Sequence, residues 1–294
     1  MPHKSANVGK FKSQAAVQIA ILIAGLSLLL GGLVLIRNVT QGDVGTQERY
    51  NLPFTDIECD PPPGATETHA FLTEVQYLSD LPSRLPLLEE GLAGRLAVAL
   101  ARHPWVEKVE HVAILPNRRV HAQLAYRMPV LAVVVKDTTS EKEPLGKVEL
   151  PDLASGSGKR LVSARAVDGH GVLLPASAPL SSLPVLLADV TSPRGPAGSP
   201  WSDRTVEAAA RTAACLKPHQ EHLRLEIFEI HEGSFVLKTL AGSKVLWGHG
   251  PDLEQAGETL AREKIDRLLR YCEAHASLDE LNGGEFDVRF RDTP

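Results

Sequence analysis

Cysteine is scarce in this sequence, which limits how far disulfides can stabilise it. Only three cysteines, Cys59, Cys215 and Cys272, occur among the 294 residues. They are odd in number, lie far apart and show no CxxC spacing, so at most one disulfide can form, and only in an oxidising compartment. Cys215 and Cys272 stand within helical patterns, where we expect buried or incidental cysteines.

An excess of positive charge is missing as well. The formal net charge is −5, and residues 1–37 contribute four positive charges and no negative one, which leaves −9 on the remainder. Proteins that bind nucleic acids concentrate Lys and Arg on one face. The charge distribution therefore does not indicate a nucleic-acid partner.

Metal-ligand spacing is not found around the most suggestive histidines. The sequence has 11 histidines, of which His170 and His249 each lie between two glycines. Neither has a second His or Cys two to four residues further on, as zinc sites commonly do. We expect both to be exposed turn histidines, and we expect no metal site.

Catalytic patterns are also absent. The flanking glycines of these two histidines do not have the spacing of a phosphate-binding loop. Adjacent acids such as Glu89 and Glu90 diverge by about 100° on a helix, so a solvated face is expected rather than an acid–base pair. No GxSxG elbow surrounds the loop serines Ser155, Ser157 and Ser181. The sequence therefore predicts a protein that is not an enzyme, with no catalytic residue, no cofactor and no small-molecule substrate.

One long apolar run is present near the N-terminus. Residues 15–36 are 22 residues without a charged side chain. A helix of about 20 residues crosses a bilayer core of roughly 30 Å, so the run predicts a transmembrane helix. A cleaved signal peptide is the alternative, but its apolar region would be shorter and would end in small residues. Lysines precede the run, which predicts a cytoplasmic tail over 1–14 and places the rest of the chain outside the cytoplasm.

The next segments predict a linker and a small folded module. Residues 37–70 contain many Gly and Pro residues and predict a tether that is semi-rigid at its triple proline. Residues 71–136 form a module in which a helix covers an antiparallel hairpin. Its predicted elements are a strand over 71–77, a helix over 85–102, and strands over 106–115 and 119–126.

Five residues of this module are assigned structural roles, namely Pro104, Trp105, Val106, Pro116 and Pro129. Pro104 ends the helix, because the residue before a proline is pushed out of the α region. Trp105 is expected to plug a corner of the small core, where aromatic side chains contribute most. Pro116 belongs to the turn of the hairpin.

The remaining residues predict a loop and a second module. Residues 137–160 break the apolar pattern and read as a surface loop or insertion. Residues 161–294 predict strands around the turn 168–171, a helix with Asp203 at its start, a three-stranded meander, a helix over 260–274 and a final strand over 285–290. The predicted fold class is α+β, with an N-terminal transmembrane helix, an α/β module, and a mainly antiparallel β domain with flanking helices.

Several short motifs occur in a suggestive order along the chain. They are Pro104-Trp105-Val106, Pro116 and Pro129-Val130 in the first module, then "AVDGHGVLLP", "LPVL" and "DVRF" in the second. Together they resemble the FtsQ/DivIB family of bitopic bacterial cell-division proteins. The resemblance implies that residues 71–136 form a POTRA domain and that residues 161–294 form the β domain of that family. Phe290 stands where the family has a tyrosine.

The resemblance also implies a function. It implies a non-enzymatic bitopic scaffold in the bacterial inner membrane, with a cytoplasmic N-terminus and a periplasmic C-terminal domain. The implied partners are other membrane-bound cell-division proteins, FtsB/FtsL-like, one of which adds a strand to the terminal strand. The implied partner-binding residues are Glu285, Phe286, Asp287, Val288, Arg289 and Phe290. A POTRA-type assembly or secretion factor and an anchored cell-wall enzyme are the two alternatives.

Overall fold

The computed structural model describes residues 24–34, 50–65, 67–135, 146–151 and 159–291, and residues 24–34 form a helix that we label α1. Within these ranges, no helix combines the length and the apolarity needed to span a membrane. The predicted fold class is therefore wrong in its transmembrane helix over 15–36. The rest of 15–36 and the predicted tail over 1–14 lie outside the described residues.

The first folded unit is described from Tyr50 onward and combines two helices with short strands. One antiparallel pair joins β1 to β2, and a second joins β3 to β4. An isolated parallel bridge joins Glu58 to His121 of β4. The elements are β1 Asn51–Pro53, α2 Thr68–Tyr77, β2 Arg84–Pro86, α3 Leu92–Ala101, β3 Val106–Ile114 and β4 Val120–Tyr126.

Three predictions for this unit were wrong. The strand predicted over 71–77 is part of α2, because Phe71, Leu72 and Val75 are buried with the spacing of one helix face. The helix predicted over 85–102 begins only at Leu92, after Gly91 with φ 77°. The linker predicted over 37–70 contributes to the fold from Tyr50 onward, since Phe54 and Ile57 belong to the core of this unit.

The second unit is built on one eight-stranded mixed sheet. The strand order is β12-β11-β10-β9-β8-β5-β7-β6. Three of its neighbouring pairs, β5 with β8, β8 with β9, and β11 with β12, are parallel, so the sheet is less antiparallel than predicted. The strands are β5 Leu131–Val134, β6 Gly146–Pro151, β7 Lys159–Val167, β8 Val185–Leu187, β9 Leu225–His231, β10 Ser234–Thr239, β11 Lys244–Gly248 and β12 Glu285–Asp287.

Two predicted boundaries shift as a result. β5 lies within the segment 71–136 that was assigned to the first unit, but it pairs with β7 and β8 of the second. The segment 137–160 was predicted to be a loop, but it contains β6, which pairs with β7 along its length. Pairing with a distant strand, rather than a local pattern, decides both cases.

Helices cover one face of this sheet. They are α4 Arg204–Leu216, α5 Gln220–Leu223 and α6 Ala261–His275. The Asp203 carboxylate accepts a hydrogen bond from the Thr205 N–H at 2.9 Å, which confirms the predicted helix cap. Trp201, Trp247 and Phe228 are fully buried in the core between helices and sheet.

The two units pack directly against each other. Trp105 was predicted to plug the core of the first unit, but it packs in a small cluster with Ala166, Leu174 and Ala178 of the second. Arg127 Nη1 lies 2.7 Å from Asp168 Oδ2, and both side chains are largely buried. The turn predicted over 168–171 therefore places Asp168 at the junction of the units.

The other motif residues have the local roles that the sequence predicts. Pro104 follows the end of α3, Val106 begins β3, and Pro116 lies in the turn that leads to β4. The Pro129 carbonyl accepts a hydrogen bond from Lys217 Nζ at 2.8 Å, which ties the segment before β5 to the end of α4. These residues have structural roles at the ends of α3, β3 and α4.

Candidate partner-binding edge and groove

The terminal strand β12 forms one edge of the eight-stranded sheet. It pairs in parallel with β11, in the register Lys244 to Glu285, Val245 to Phe286 and Leu246 to Asp287. In the part of the chain that the structure describes, β12 has no second strand beside it. An edge strand of this kind leaves backbone donors and acceptors available for another chain.

The hydrogen bonds to β11 show which backbone groups point outward. The Lys244 N–H donates to the Gly284 carbonyl at 2.9 Å, and the Val288 N–H donates to the Leu246 carbonyl at 3.2 Å. Residues of a strand alternate in the direction of their backbone groups, so residues 284, 286 and 288 point toward β11. The N–H and C=O groups of Glu285 and Asp287 therefore point away from the sheet.

Two ion pairs cover one face of β12. Lys244 Nζ lies 3.0 Å from Glu285 Oε1, and Arg289 Nη2 lies 2.7 Å from Asp287 Oδ2. The Arg289 N–H also donates to Asp287 Oδ1 at 2.9 Å. Partial burial raises the pKa of Asp287, but the hydrogen bonds from Arg289 outweigh it and leave that pKa below its ordinary value. This face of the strand is therefore balanced in charge.

The opposite face of β12 turns toward α6. The Phe286 ring lies 4.9 Å from the Tyr271 ring, and the Arg267 guanidinium lies 6.0 Å from the Phe286 ring. Val288 is fully buried in the core. Phe290, just past the strand, keeps 54% of its surface exposed, while its carbonyl accepts a hydrogen bond from Arg267 Nη1 at 2.5 Å.

A groove of about 730 Å³ lies between α6 and the terminal segment, and we call it the α6 groove. It is open to solvent and is bordered by α6 and by Phe286 of β12. Its lining residues are Thr259, Glu263, Asp266, Arg267, Arg270, Tyr271, Ala274, His275, Phe286 and Arg291.

Acidic and basic side chains both line the α6 groove. At the end near the start of α6, Glu263 is paired with Arg291 at 2.8 Å, and Asp266 adds a second carboxylate. Arg270 lies one turn after Asp266, bonds the Asp266 carbonyl through Nε at 3.2 Å and forms no ion pair with a carboxylate among the described residues. Near the end of α6, Tyr271 and His275 stack with ring centroids 4.3 Å apart.

A buried network positions the start of α6. The Glu258 carboxylate accepts hydrogen bonds from Lys264 Nζ at 2.6 Å and from His249 Nδ1 and the His249 N–H at 2.8 Å each. His249 was predicted to be an exposed turn histidine, but only 26% of its side chain is exposed. The prediction for His170 is confirmed, because 73% of its side chain is exposed. Glu258 and Lys264 come close only when the loop before α6 folds back, so the local sequence did not reveal this network.

The sequence pattern predicts the terminal strand but gives no sign of the groove beside it. The six predicted partner-binding residues lie together on β12 and directly after it. Arg270 and Tyr271 were missed, because they lie off the buried stripe of the last helix and no local pattern marks them. No three His, Cys, Asp or Glu side chains of the described residues are grouped so that they could hold a metal ion.

Comparisons with known proteins add no family to this description. No protein-family model matches the sequence, and no curated protein matches it.

Proposed function

We propose that this chain is a non-enzymatic scaffold of the bacterial cell-division machinery, which acts at the outer face of the inner membrane. It binds FtsB/FtsL-like and other membrane-bound division proteins, and the binding step is the addition of a partner strand to β12. The observation that carries the proposal is the free edge of β12, where the backbone groups of Glu285 and Asp287 point outward.

Two further features support the proposal. Two of the motifs that resemble the FtsQ/DivIB family have structural roles, since Trp105 and Asp168 both lie at the junction of the two units. The first unit also has a short strand before its first helix, a second short strand between its two helices and a hairpin at its end, and so contains the strand, helices and two strands of a POTRA domain. The second helix of that arrangement, α2, was hidden in the sequence behind an apparent strand pattern.

The substitution Glu285→Pro tests strand addition directly. Proline removes the outward N–H of residue 285 and leaves the ladder between β11 and β12 intact, because residues 284, 286 and 288 make that ladder. We expect co-purification of FtsB/FtsL-like proteins with the full chain to fall at least tenfold. Glu285→Ala is the matched control, since it removes the same side chain and keeps the N–H, and it should retain co-purification. Equal capture by the proline and alanine variants would overturn the strand-addition step.

The cellular role needs its own experiment. A fluorescent fusion of the full chain, expressed in dividing cells of its source, should collect at mid-cell when the septum forms. A fusion distributed evenly around the envelope at every stage of division would contradict a role in cell division.

A further inference from the structure

The eight-stranded sheet has a second edge, β6, at the end opposite β12. Among the residues that the structure describes, β6 has β7 on one side and no strand on the other. Its six residues pair antiparallel with β7 along their whole length. An edge strand of this kind can pair with a strand of another chain. Because six strands separate the two edges, a chain bound at β6 does not compete for β12.

The hydrogen bonds of β7 show which backbone groups of β6 point outward. The Ser163 carbonyl accepts a hydrogen bond at 3.0 Å from the N–H of Val135, directly after β5, so Ser163 points toward β5. Backbone groups alternate along an antiparallel strand, so Val162 points toward β6. Val162 pairs with Val148, which therefore points back toward β7. The N–H and C=O groups of the residues on either side of Val148 consequently point away from the sheet.

The two outward residues of β6 carry opposite charges. They are Lys147 and Glu149, and both are exposed. Ser163 and Leu161 lie opposite them on β7 and carry no charge, so the charge directly opposite each on the outer side comes from an added strand. Val148 projects from the other face, where it packs against an apolar cluster. A strand that places a carboxylate opposite Lys147 and an amine opposite Glu149 is therefore matched to this edge.

A second copy of β6 meets this requirement when the two strands pair antiparallel about Val148. A two-fold axis then passes between the two Val148 residues, and Lys147 of each copy lies opposite Glu149 of the other. Because these residues point outward, each such pair exchanges both of its backbone hydrogen bonds. A shift of two residues in either direction places like charges opposite each other, which is destabilising. A shift of one residue moves the charged side chains to the apolar face. The charges and the apolar face therefore select one register.

We propose that β6 is a self-association edge, at which two copies of this chain pair antiparallel through Lys147 and Glu149. The inference goes beyond the proposed function, since it assigns a second, separate edge of the sheet to a second copy of the chain. The dimer presents one β12 edge from each copy, so it can hold two partner strands at once. A contact of one six-residue strand per copy is small, so the association is weak and reversible.

Charge reversal tests this pairing in the full chain. Full chains fused to a donor or an acceptor fluorescent protein are mixed, and energy transfer between them is titrated to about 100 μM, a range suited to a weak contact. Wild-type chains should show saturable transfer. Lys147→Glu places two carboxylates opposite each other at both pairs, and Glu149→Lys places two amines there. We expect each variant to associate with itself about tenfold or more weakly than the wild type, because both attractive pairs become repulsive.

Mixing the two variants supplies the matched control. A Lys147→Glu donor and a Glu149→Lys acceptor restore opposite charges at both pairs, so this mixture should associate as tightly as the wild type. The rescue cannot come from misfolding, since the same two chains associate weakly alone. Absence of energy transfer between wild-type chains, equal affinity in every combination, or no rescue in the mixture would overturn the self-association edge.

The β12 edge is separated from β6 in the same assay. Glu285→Pro removes the outward N–H of β12 and should leave energy transfer between copies unchanged. If Glu285→Pro abolishes transfer while both charge reversals leave it intact, copies associate through β12 and the assignment to β6 is wrong. Lys147→Glu should still co-purify FtsB/FtsL-like proteins, so the proposed function and the self-association edge can fail independently.

Discussion

Glu258 Oε1 lies 2.6 Å from Lys264 Nζ, and the two side chains are only 3% and 0% exposed. The same carboxylate also accepts hydrogen bonds from His249 and from the Gln255 N–H at 3.0 Å. The pair thus ties the end of β11 and the following loop to the first turn of α6. Because α6 forms one wall of the α6 groove, this pair holds the groove in position beside β12.

Removing the cation from this pair should destabilise the protein strongly. Lys264→Met leaves the Glu258 carboxylate buried without its ion-pair partner, and we expect the free energy of unfolding to fall by about 3 kcal/mol. Urea unfolding followed by circular dichroism measures the change. The control Lys244→Met removes a lysine from an exposed pair and should cost less than about 1 kcal/mol. Similar losses in the two variants would contradict the importance of the buried pair.

The ion pair of Glu258 with Lys264 should make the free energy of unfolding depend on pH. Burial raises the pKa of Glu258, but hydrogen bonds from Lys264, Gln255 and His249 outweigh it and lower that pKa from 4.5 to about 2. A carboxyl whose pKa is lower in the folded state stabilises the fold above its unfolded pKa and loses that contribution as pH falls through its folded pKa. The stability difference between wild type and Glu258→Gln should therefore shrink between about pH 4.5 and pH 2. Urea unfolding at several pH values measures it, and a constant difference would contradict the shift.

Gly248 should tolerate no side chain. It adopts φ 86°, and a Cβ at this position would lie 2.1 Å from Glu258 Oε1. Gly248→Ala should therefore lose more stability than the backbone strain of about 1 kcal/mol, because it also displaces the Glu258 carboxylate. Gly242→Ala is the matched control, since φ is 91° there and no atom lies within 4 Å of the added Cβ. Thermal unfolding of the two variants compares them, and equal losses would show that the close approach to Glu258 does not matter.

The junction of the two units should depend on Asp168. Its carboxylate pairs with Arg127 and also accepts hydrogen bonds from the N–H groups of His170 and Val172 at 2.9 Å each. Asp168→Ala leaves these donors without an acceptor, and we expect a loss of about 3 kcal/mol. Hydrogen exchange should accelerate on both sides of the junction, around Trp105 and Leu174. Arg119→Ala breaks an exposed pair with Glu58 and should leave exchange at the junction unchanged. Exchange that increases in one unit alone would contradict a shared junction.

Local sequence patterns predicted much of the second unit. The cap at Asp203, the meander of β9 to β11 and the final helix are all present, because capping, turn chemistry and apolar periodicity act within a few residues. The same local rules were wrong where a short run fits two periods, as at Phe71 and Val75 in α2. They were also wrong for the transmembrane helix predicted over 15–36, because no helix among the described residues is long and apolar enough to span a membrane.

By itself, the sequence determined where helices and hairpins start and stop, and it located the terminal segment around Phe290. Only the tertiary structure decided that β12 is an edge strand, that Arg270 and Tyr271 form a groove beside it, and that Glu258, Lys264 and His249 meet beneath α6. The physical reason is that strand order and buried ion pairs join residues distant in sequence. Their partners are chosen by packing and desolvation, which no local pattern records.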